Sequence, residues 1–323
     1  MSEQVQLQAQ IGDDLIGQRL DQVVAQLFPE YSRSRLQGWI KDGSLTVDGE
    51  VRRTRDKMLG GETVRVEAEL ELIDQHQAED IPLEIVYEDD DILVINKPAG
   101  LVVHPAVGHR SGTLLNALLN HFPAIAQVPR AGIVHRLDMD TTGLMVVAKT
   151  IPAQTDLVNQ LQDRSMGREY EAITHKVMTG GGMVDEALGR STRNRQKMAV
   201  SPMGKEAVTH YRLLKKFRSH THIRLKLETG RTHQIRVHMS YIGYPLVGDQ
   251  LYGGRFRLPK GASEPLQQTL KTFKRQALHA KKLELWHPIT GEQMSWEVDL
   301  PEDLQQLLAV LEDDANSIEE YDL

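Results

Sequence analysis

The chain has 323 residues, more than the roughly 100 to 200 of a usual single domain, which favours a main domain with a small appended module. Apolar residues make up 40% and charged residues 26%, a balance that excludes disordered and fibrous classes. The formal net charge is −7, and the absence of cysteine excludes disulfides, thiolate metal sites and a cysteine nucleophile. No stretch approaches the roughly 20 apolar residues that span a bilayer, so we expect a cytoplasmic protein with no membrane partner.

Residues 17–49 predict a compact unit of two short helices followed by a β-hairpin. Apolar residues recur at helical spacing before Pro29, so the first helix is expected to end near Phe28. The segment SLTVDGEVRR reads as strand, turn and strand, with the turn at Asp48-Gly49. The acidic residues 67–80 are the expected linker to the next domain.

The second of these helices carries two arginines at its start. Ser32 is a candidate cap for the helix, and Gly43 is expected to end it. Arg33 and Arg35 then lie where the free amide groups of a helix N-terminus already attract phosphate. The pattern favours phosphate binding, but a basic helical hairpin with a purely structural role would show the same pattern of residues.

From residue 80 onward, strands and helices follow one another without regular alternation. Such an order favours an α+β fold with a mixed sheet over a doubly wound fold. The acidic tail after the closing helix is expected to be loose. We expect helices at residues 113–122, 153–164 and 304–311, and strands at residues 92–95, 143–150, 168–174, 209–214 and 222–228.

Charge is unevenly distributed along the chain. Residues 186–260 contain 16 Lys and Arg against 4 Asp and Glu. Residues 62–91 contain 12 acidic residues against one Arg, and residues 297–323 contain 10 acidic residues and no Lys or Arg. Because Lys and Arg dominate phosphate binding, the basic stretch predicts a polyanion-binding face, although each run alone could be an ordinary solvated surface.

The densest polar cluster lies in residues 129–150, between two apolar runs. It packs His135, Arg136, Asp138 and Asp140 into six residues, and polar groups between core strands belong in a turn at a sheet edge or in a cleft. An adjacent arginine favours the ionised form of a carboxylate. Asp138 is therefore a candidate nucleophile or general base, with a structural salt bridge as the alternative.

A second cluster, residues 227–239, lies inside the basic stretch. If the chain leaves a strand at Gly230 and enters a helix, Arg231 lies at the turn and Arg236 can face a cleft, where a guanidinium holds a carboxylate or a phosphate. His233 and His238 are five residues apart and do not share a helical face, so we expect no metal site.

Tyr170 follows Arg168 and Glu169 at the start of a predicted strand. Its propensity fits an ordinary half-buried strand aromatic. The functional alternative is a stacking platform for an unstacked base, as used in the recognition of RNA loops.

The motifs INKPAGLVVHP, GIVHRLDMDTTGLMVVAKT, REY and LETGRTHQIRVHM, in this order, resemble those of the large-subunit pseudouridine synthases. The first unit resembles the alpha-L type RNA-binding domain. The resemblance implies an α+β catalytic domain with a mixed, mainly antiparallel sheet, preceded by a small α-α-β-hairpin RNA-binding domain. The domains implied are residues 12–75 for RNA binding, 80–312 for catalysis, and 313–323 for an acidic tail.

The resemblance also implies roles for individual residues. Asp138 would be the catalytic aspartate, Tyr170 would stack on the target base, and Arg236 would pair with Asp138. Leu278 would be the apolar pocket residue. The remaining implied RNA contacts are Arg136 and Arg231 in the catalytic domain and Arg33 and Arg35 in the first unit.

The substrate implied is the helix 69 stem-loop of 23S ribosomal RNA, free or in a precursor of the large subunit. Isomerising uridine needs one carboxylate and no redox change, so we expect no cofactor, and we expect a monomer. Met139 stands where the family usually has lysine, which removes one positive charge near the RNA. This difference affects no residue to which the resemblance gives a catalytic role.

Three alternatives remain at this point. The chain could be a non-catalytic RNA-binding assembly factor, or the same chemistry could act on another 23S site or on tRNA. A hydrolase or nucleotide-dependent enzyme has less support, because the sequence lacks a GxSxG motif, a phosphate-binding glycine-rich loop and a dinucleotide fingerprint.

Overall fold

The computed structural model describes residues 3–29, 31, 33–70, 77–105, 109–194 and 197–319. The chain divides into two compact units, residues 1–75 and residues 76–323. The first unit is built from β1 (Glu3–Gln10), α1 (Leu20–Leu27), α2 (Arg33–Asp42), β2 (Leu45–Val47) and β3 (Thr63–Leu70).

The two predicted helices of the first unit are confirmed. Each buries one apolar face, with Leu20, Val23 and Val24 on α1 and Leu36 and Ile40 on α2. These spacings of three and four residues put the apolar side chains on one face of each helix, packed against the small sheet. Ser32, the expected cap of α2, lies outside the described residues.

The sheet of the first unit differs from the expected pairing. The turn at Asp48 and Gly49 is confirmed, and both residues have positive φ (51° and 81°), as the tightest hairpin turns require. The strand that pairs with β2 along its length is β3, and residues 51–53, which the predicted hairpin needs for its second strand, form no strand. Burial explains this choice, because β3 supplies the fully buried Val64 and Val66. β1 also pairs with β3, so the unit begins before residue 12.

The strands of the second unit are β4 (Ile85–Glu88), β5 (Ile92–Lys97), β6 (Thr142–Ala148), β7 (Gly167–His175), β8 (Gly182–Asp185), β9 (Leu188–Arg190), β10 (Met198–Val200), β11 (Val208–Lys216), β12 (His220–Leu227), β13 (Leu278–Trp286) and β14 (Gln293–Glu297). In the described residues, nine of them form one sheet in the order β4-β5-β6-β13-β7-β12-β11-β8, with β14 paired to β13. Its strand pairs are antiparallel except β6 with β13, which confirms the mixed, mainly antiparallel α+β fold. A smaller sheet joins β9 and β10.

Helices cover both faces of the large sheet. Along β5, Leu93 and Ile95 join one apolar cluster, whereas Ile92 and Val94 join another on the opposite face. Burial on both faces is why this strand reads as a continuous apolar run. The helices are α3 (Leu114–His121), α4 (Ile151–Gln162), α5 (Gln234–Tyr241), α6 (Glu264–Thr272) and α7 (Glu302–Glu319).

The closing helix runs further than expected. α7 continues through residues 313–319, which the sequence assigned to a loose acidic tail. Leu311 and Asp314 are buried, and Asp314 pairs with Arg218 at 3.2 Å. The acidic residues of α7 thus neutralise part of the basic stretch, and residues 320–323 lie outside the described part. None of the described helices is long and apolar enough to cross a membrane.

Candidate active site

A cleft of about 840 Å³ lies against the central strands of the large sheet. Its walls come from the loop before β6, from β7, from the connection between β12 and α5, and from the start of β13. The second-unit candidates predicted from sequence all line it: Arg136, Asp138, Tyr170, Arg231, Arg236 and Leu278. Arg33 and Arg35 belong to the first unit.

The segment leading to Asp138 has an unusual backbone. Arg130 and Ala131 have φ of 56° and 49°, a left-handed conformation that is costly for residues with a Cβ. Gly132 follows with φ of 70°, and a Cβ there would lie 1.7 Å from the carbonyl oxygen of Ala148. This close approach to β6 requires glycine and fixes the start of the loop that carries Asp138.

Asp138 itself is held between charged side chains. Its carboxylate keeps 17% of its surface exposed, and its Oδ2 accepts a hydrogen bond of 2.8 Å from Nη1 of Arg236. His233 Nε2 lies 3.8 Å from the other oxygen. His233 begins α5 with a left-handed φ of 57°, and burial lowers the pKa of this imidazole. The carboxylate therefore has one fixed cationic partner and one oxygen open to the cleft.

Arg236 is fixed in turn by Asp249, which the sequence reasoning missed. Asp249 has no exposed side-chain surface and accepts hydrogen bonds from Nε and Nη2 of Arg236 at 2.7 and 2.9 Å. The guanidinium also lies over the ring of Tyr252 at 5.1 Å. Burial lowers the pKa of Arg236, but the ion pairs with Asp249 and Asp138 outweigh it and raise the pKa above its usual value. A permanently charged, doubly anchored guanidinium thus presents one nitrogen to the carboxylate of Asp138.

A buried lysine holds the backbone next to Asp138. Nζ of Lys97 donates to the carbonyl oxygens of Pro98, Leu101 and Met139 at 2.7, 2.9 and 2.8 Å. Burial lowers the pKa of Lys97 to about 8. Met139 accepts this hydrogen bond with its backbone carbonyl, while its side chain is 40% exposed. The presence of methionine at position 139, where the family usually has lysine, therefore leaves the hydrogen bonds of Lys97 unchanged.

Tyr170 and Leu278 form an apolar wall of the cleft. They are 6% and 4% exposed and lie on the paired strands β7 and β13. Burial raises the pKa of the Tyr170 hydroxyl, which keeps it protonated at neutral pH. A protonated phenol beside an aliphatic side chain can support a planar base.

The expected RNA-contact arginines are placed differently from one another. Arg136 is exposed beside the cleft, and Arg231 donates its Nε to the carbonyl oxygen of Glu206 at 2.9 Å. In the first unit, Arg33 and Arg35 are exposed in the first turn of α2. Arg33 also donates to the buried Asp21 at 2.9 Å, so its guanidinium is oriented before any ligand arrives.

One group of side chains away from the cleft consists of residue types that can bind a metal ion. Oxygens of Asp89 and Asp91 and a nitrogen of His287 lie within 4.8 Å of one another. Oδ1 of Asp89 already accepts from the amides of Asp91 and Ile92 at 2.8 Å, and its Oδ2 accepts from the Tyr87 hydroxyl at 2.7 Å. The group therefore has a structural role, because the hydrogen bonds of Asp89 hold the turn before β5.

The fold, with the carboxylate of Asp138 set beside a buried arginine and a tyrosine wall, has the features of an RNA-modifying enzyme, and comparison with known proteins agrees. The chain belongs to the pseudouridine synthase family. The family model for RNA pseudouridylate synthases matches residues 91–241, and the S4 domain model, an RNA-binding module, matches residues 18–64. Both the expected family and the expected N-terminal domain are confirmed.

The similar curated proteins include the ribosomal large subunit pseudouridine synthase D of Pseudomonas aeruginosa. It is 65% identical over 314 residues, covering 97% of this chain and 98% of its own. The protein of the same name from Escherichia coli K12 is 58% identical, covering 97% of each chain. Among solved structures, human RNA pseudouridylate synthase domain containing 4 is 27% identical with a TM-score of 0.56, covering 71% of this chain and 93% of its own.

Proposed function

We propose that this pseudouridine synthase isomerises uridines in the 23S RNA of the large ribosomal subunit, in the helix 69 stem-loop. The names of its relatives support the large-subunit substrate. The S4-type unit supports it independently, because Arg33 and Arg35 are exposed at a helix N-terminus, where phosphate binds. Loop nucleotides are also cheaper to extrude into a cleft than paired ones.

The observation that carries the catalytic role is the ion pair between Asp138 and Arg236 at 2.8 Å inside the cleft. The pair leaves Oδ1 of Asp138 free of any strong ion pair, with His233 at 3.8 Å. That oxygen either attacks the anomeric carbon of the target nucleotide or removes the neighbouring sugar proton. Both routes begin with a carboxylate and release the uracil ring, which turns and rejoins the sugar through C5.

The other cleft residues position the base. Tyr170 lies under the ring, and Leu278 closes the pocket beside it, so that the detached uracil stays in place while it turns. Arg236 keeps Asp138 aimed at the sugar. Arg136 and Arg231 hold flanking phosphates at the mouth of the cleft.

The reaction rearranges atoms already present in the substrate, so it needs no cofactor. We propose that one chain acts as a monomer in the cytoplasm, where the large subunit assembles. Arg33, Arg35 and the basic stretch of residues 190–260 make binding electrostatic, so affinity should fall steeply as salt rises. A flat response of affinity to salt would contradict this assignment.

The test is to map pseudouridine in 23S RNA from cells that lack this protein, complemented by the wild type or by Asp138→Asn. We expect the wild type to restore modification in the helix 69 loop and the variant to restore none. Restoration at other uridines, or in tRNA, would keep the chemistry and replace the substrate. Restoration by Asp138→Asn would remove Asp138 from the mechanism.

A further inference from the structure

Arg168 lies in the cleft with an uncompensated charge. It precedes Tyr170 by two residues on β7, so both side chains project from the same face of the strand, and both line the cleft. Arg168 is 7% exposed, and its buried Nε has no hydrogen-bond partner. Among the described residues, no carboxylate oxygen lies within 4.0 Å of its guanidinium.

Three other arginines of the cleft have partners within the protein. Arg236 lies between two carboxylates, Arg164 pairs with two glutamates, and Arg231 donates to a carbonyl oxygen. A buried charge without a partner is costly, so a protein keeps one where a ligand supplies the missing partner. Arg130 and Arg136 also line the cleft but are exposed, so among the described arginines of the cleft Arg168 is the one that is both buried and without a partner.

The groups beside Arg168 leave its charge uncompensated, because the backbone of Gly230 approaches it and both His135 and Tyr170 are uncharged. A Cβ on Gly230 would lie 2.7 Å from Nη1 of Arg168, so the loop backbone approaches the guanidinium closely. His135 stays neutral, because burial and the charge of Arg168 lower the pKa of its imidazole to about 3. The Tyr170 hydroxyl also stays protonated, since burial raises its pKa.

We propose that Arg168 is a further catalytic residue, which binds a carbonyl oxygen of the target uracil and stabilises the negative charge that the ring acquires when its bond to the sugar breaks. This inference rests on the proposed function. The electron pair of the bond between C1′ and N1 stays with the uracil, which becomes an anion with charge on N1, O2 and O4. Meanwhile Asp138 bonds to C1′ or takes the proton from C2′.

The charge disappears as the ring rejoins. On the first route C5 bonds to C1′ as the bond between Asp138 and C1′ breaks; on the second, C5 bonds to C1′ as the proton held by Asp138 returns to C2′. The C5 proton is then lost to a base and N1 gains a proton, so the product is an isomer of the substrate. Arg168 neither gives nor takes a proton in this sequence. A fixed guanidinium in a site that excludes water stabilises such a developing charge far more than water does.

Depth favours the base over a phosphate as the partner of Arg168. Arg136 is exposed and Asp138 keeps 17% of its side chain exposed, whereas Arg168 is 7% exposed. A flipped nucleotide enters a pocket base first, while its phosphates stay hydrated at the mouth. The most buried of these charges therefore meets the base on the platform of Tyr170.

The test compares Arg168→Met and Arg168→Lys with the control Arg164→Met, in which the lost guanidinium is 38% exposed and already ion-paired. Each full-length protein is mixed in excess with a 23S RNA stem-loop, and pseudouridine formation is followed in a single turnover. We expect Arg168→Met to slow this step by about 100-fold or more, Arg168→Lys to slow it less, and the control to keep the wild-type rate. The salt dependence of RNA binding should stay unchanged in both Arg168 variants.

Thermal unfolding separates catalysis from a structural role. Because Arg168→Met removes an uncompensated buried charge, its Tm should equal or exceed that of the wild type. A lowered Tm with a proportionate loss of active protein would overturn the proposal. So would a wild-type rate at saturation with a shallower salt dependence, which would make the partner a phosphate. If the wild type itself leaves this RNA unmodified, the substrate assignment fails instead.

Discussion

The two units of the chain use the same charges in opposite arrangements. In the first unit, one buried carboxylate, Asp21, holds Arg19 and Arg33, whose side chains are 44% and 52% exposed. In the second unit, one buried guanidinium, Arg236, is held by Asp249 and presents a nitrogen to the partly exposed Asp138. In both, the buried partner fixes the direction of an accessible charge of opposite sign.

The difference lies in what remains accessible. Exposed guanidinium groups suit a surface that binds many phosphates with little sequence discrimination. A single exposed carboxylate oxygen suits one chemical step at one atom. We therefore expect substitutions around Asp21 to change RNA binding and substitutions around Arg236 to change the rate of reaction at saturating RNA.

The largest effect is expected for Arg236→Met. This change leaves two carboxylates, Asp138 and Asp249, without their shared cation, so the single-turnover rate should fall by about 1000-fold while RNA still binds. Arg236→Lys keeps the charge but cannot contact both carboxylates in one plane, and it should recover only part of the rate. A wild-type rate in the methionine variant would show that Asp138 needs no fixed partner.

A smaller loss is expected for Asp249→Asn. The amide can still accept one hydrogen bond, but the guanidinium loses its ionic anchor, and a misplaced partner of Asp138 should slow the reaction by about 10- to 100-fold. Breaking this buried ion pair should also cost about 3 kcal/mol of stability or more. Rate and Tm are measured together, with Glu228→Gln, which loses a more exposed ion pair, as the control. An unchanged rate in Asp249→Asn would limit its role to stability.

Sequence predicted the parts of this site that local patterns encode. Asp138 and Arg236 lie in dense polar clusters beside apolar runs, and both indeed line the cleft. Their ion pair joins residues 98 positions apart, which no spacing reveals, and only the resemblance implied it. Asp249 lies in a sequence that reads as an ordinary turn, and Lys97 precedes a proline, where lysine is usually exposed. Their roles depend on burial, which the sequence does not display.

The fold shows the same division. The apolar run of β5 was predicted because both its faces are buried. By contrast, β13 was missed, since Lys281, Lys282 and Glu284 interrupt its pattern, although it joins β6 to β7 in the middle of the sheet. The partner of β2 was also misassigned, because pairing with β3 depends on a strand that begins 16 residues after β2 ends.

Acid should destabilise the second unit selectively. The 13 histidines of the chain all follow residue 75, and His220 and His279 are fully buried with pKa values lowered, chiefly by burial, to about 3 and about 4. The folded unit keeps both rings neutral, whereas the unfolded chain binds protons below about pH 6.5, so stability present above that pH is lost as pH falls. At pH 5 each of these two histidines should lower the free energy of unfolding by on the order of 2 kcal/mol relative to neutral pH.

Hydrogen exchange resolved by peptide measures this effect in each unit of the intact protein. Between pH 7 and pH 5, after correction for the intrinsic exchange rate, protection should fall in β7, β12 and β13 and change less in α1 and α2. An equal loss in both units would show that acid acts through carboxylates common to them.

The smallest effect on catalysis is expected for Asp21→Asn. The change removes the buried charge that orients Arg33, while its ligands Arg19 and Gln37 keep a hydrogen-bonding partner, so the first unit should lose about 1 to 3 kcal/mol of stability. RNA affinity should fall, and the rate at saturating RNA should match the wild type. Arg33→Gln is the matched variant, and if Asp21 acts by orienting Arg33, the loss of affinity in the double variant should be smaller than the sum of the two single losses. Additive losses would mean that the two residues contribute to binding separately.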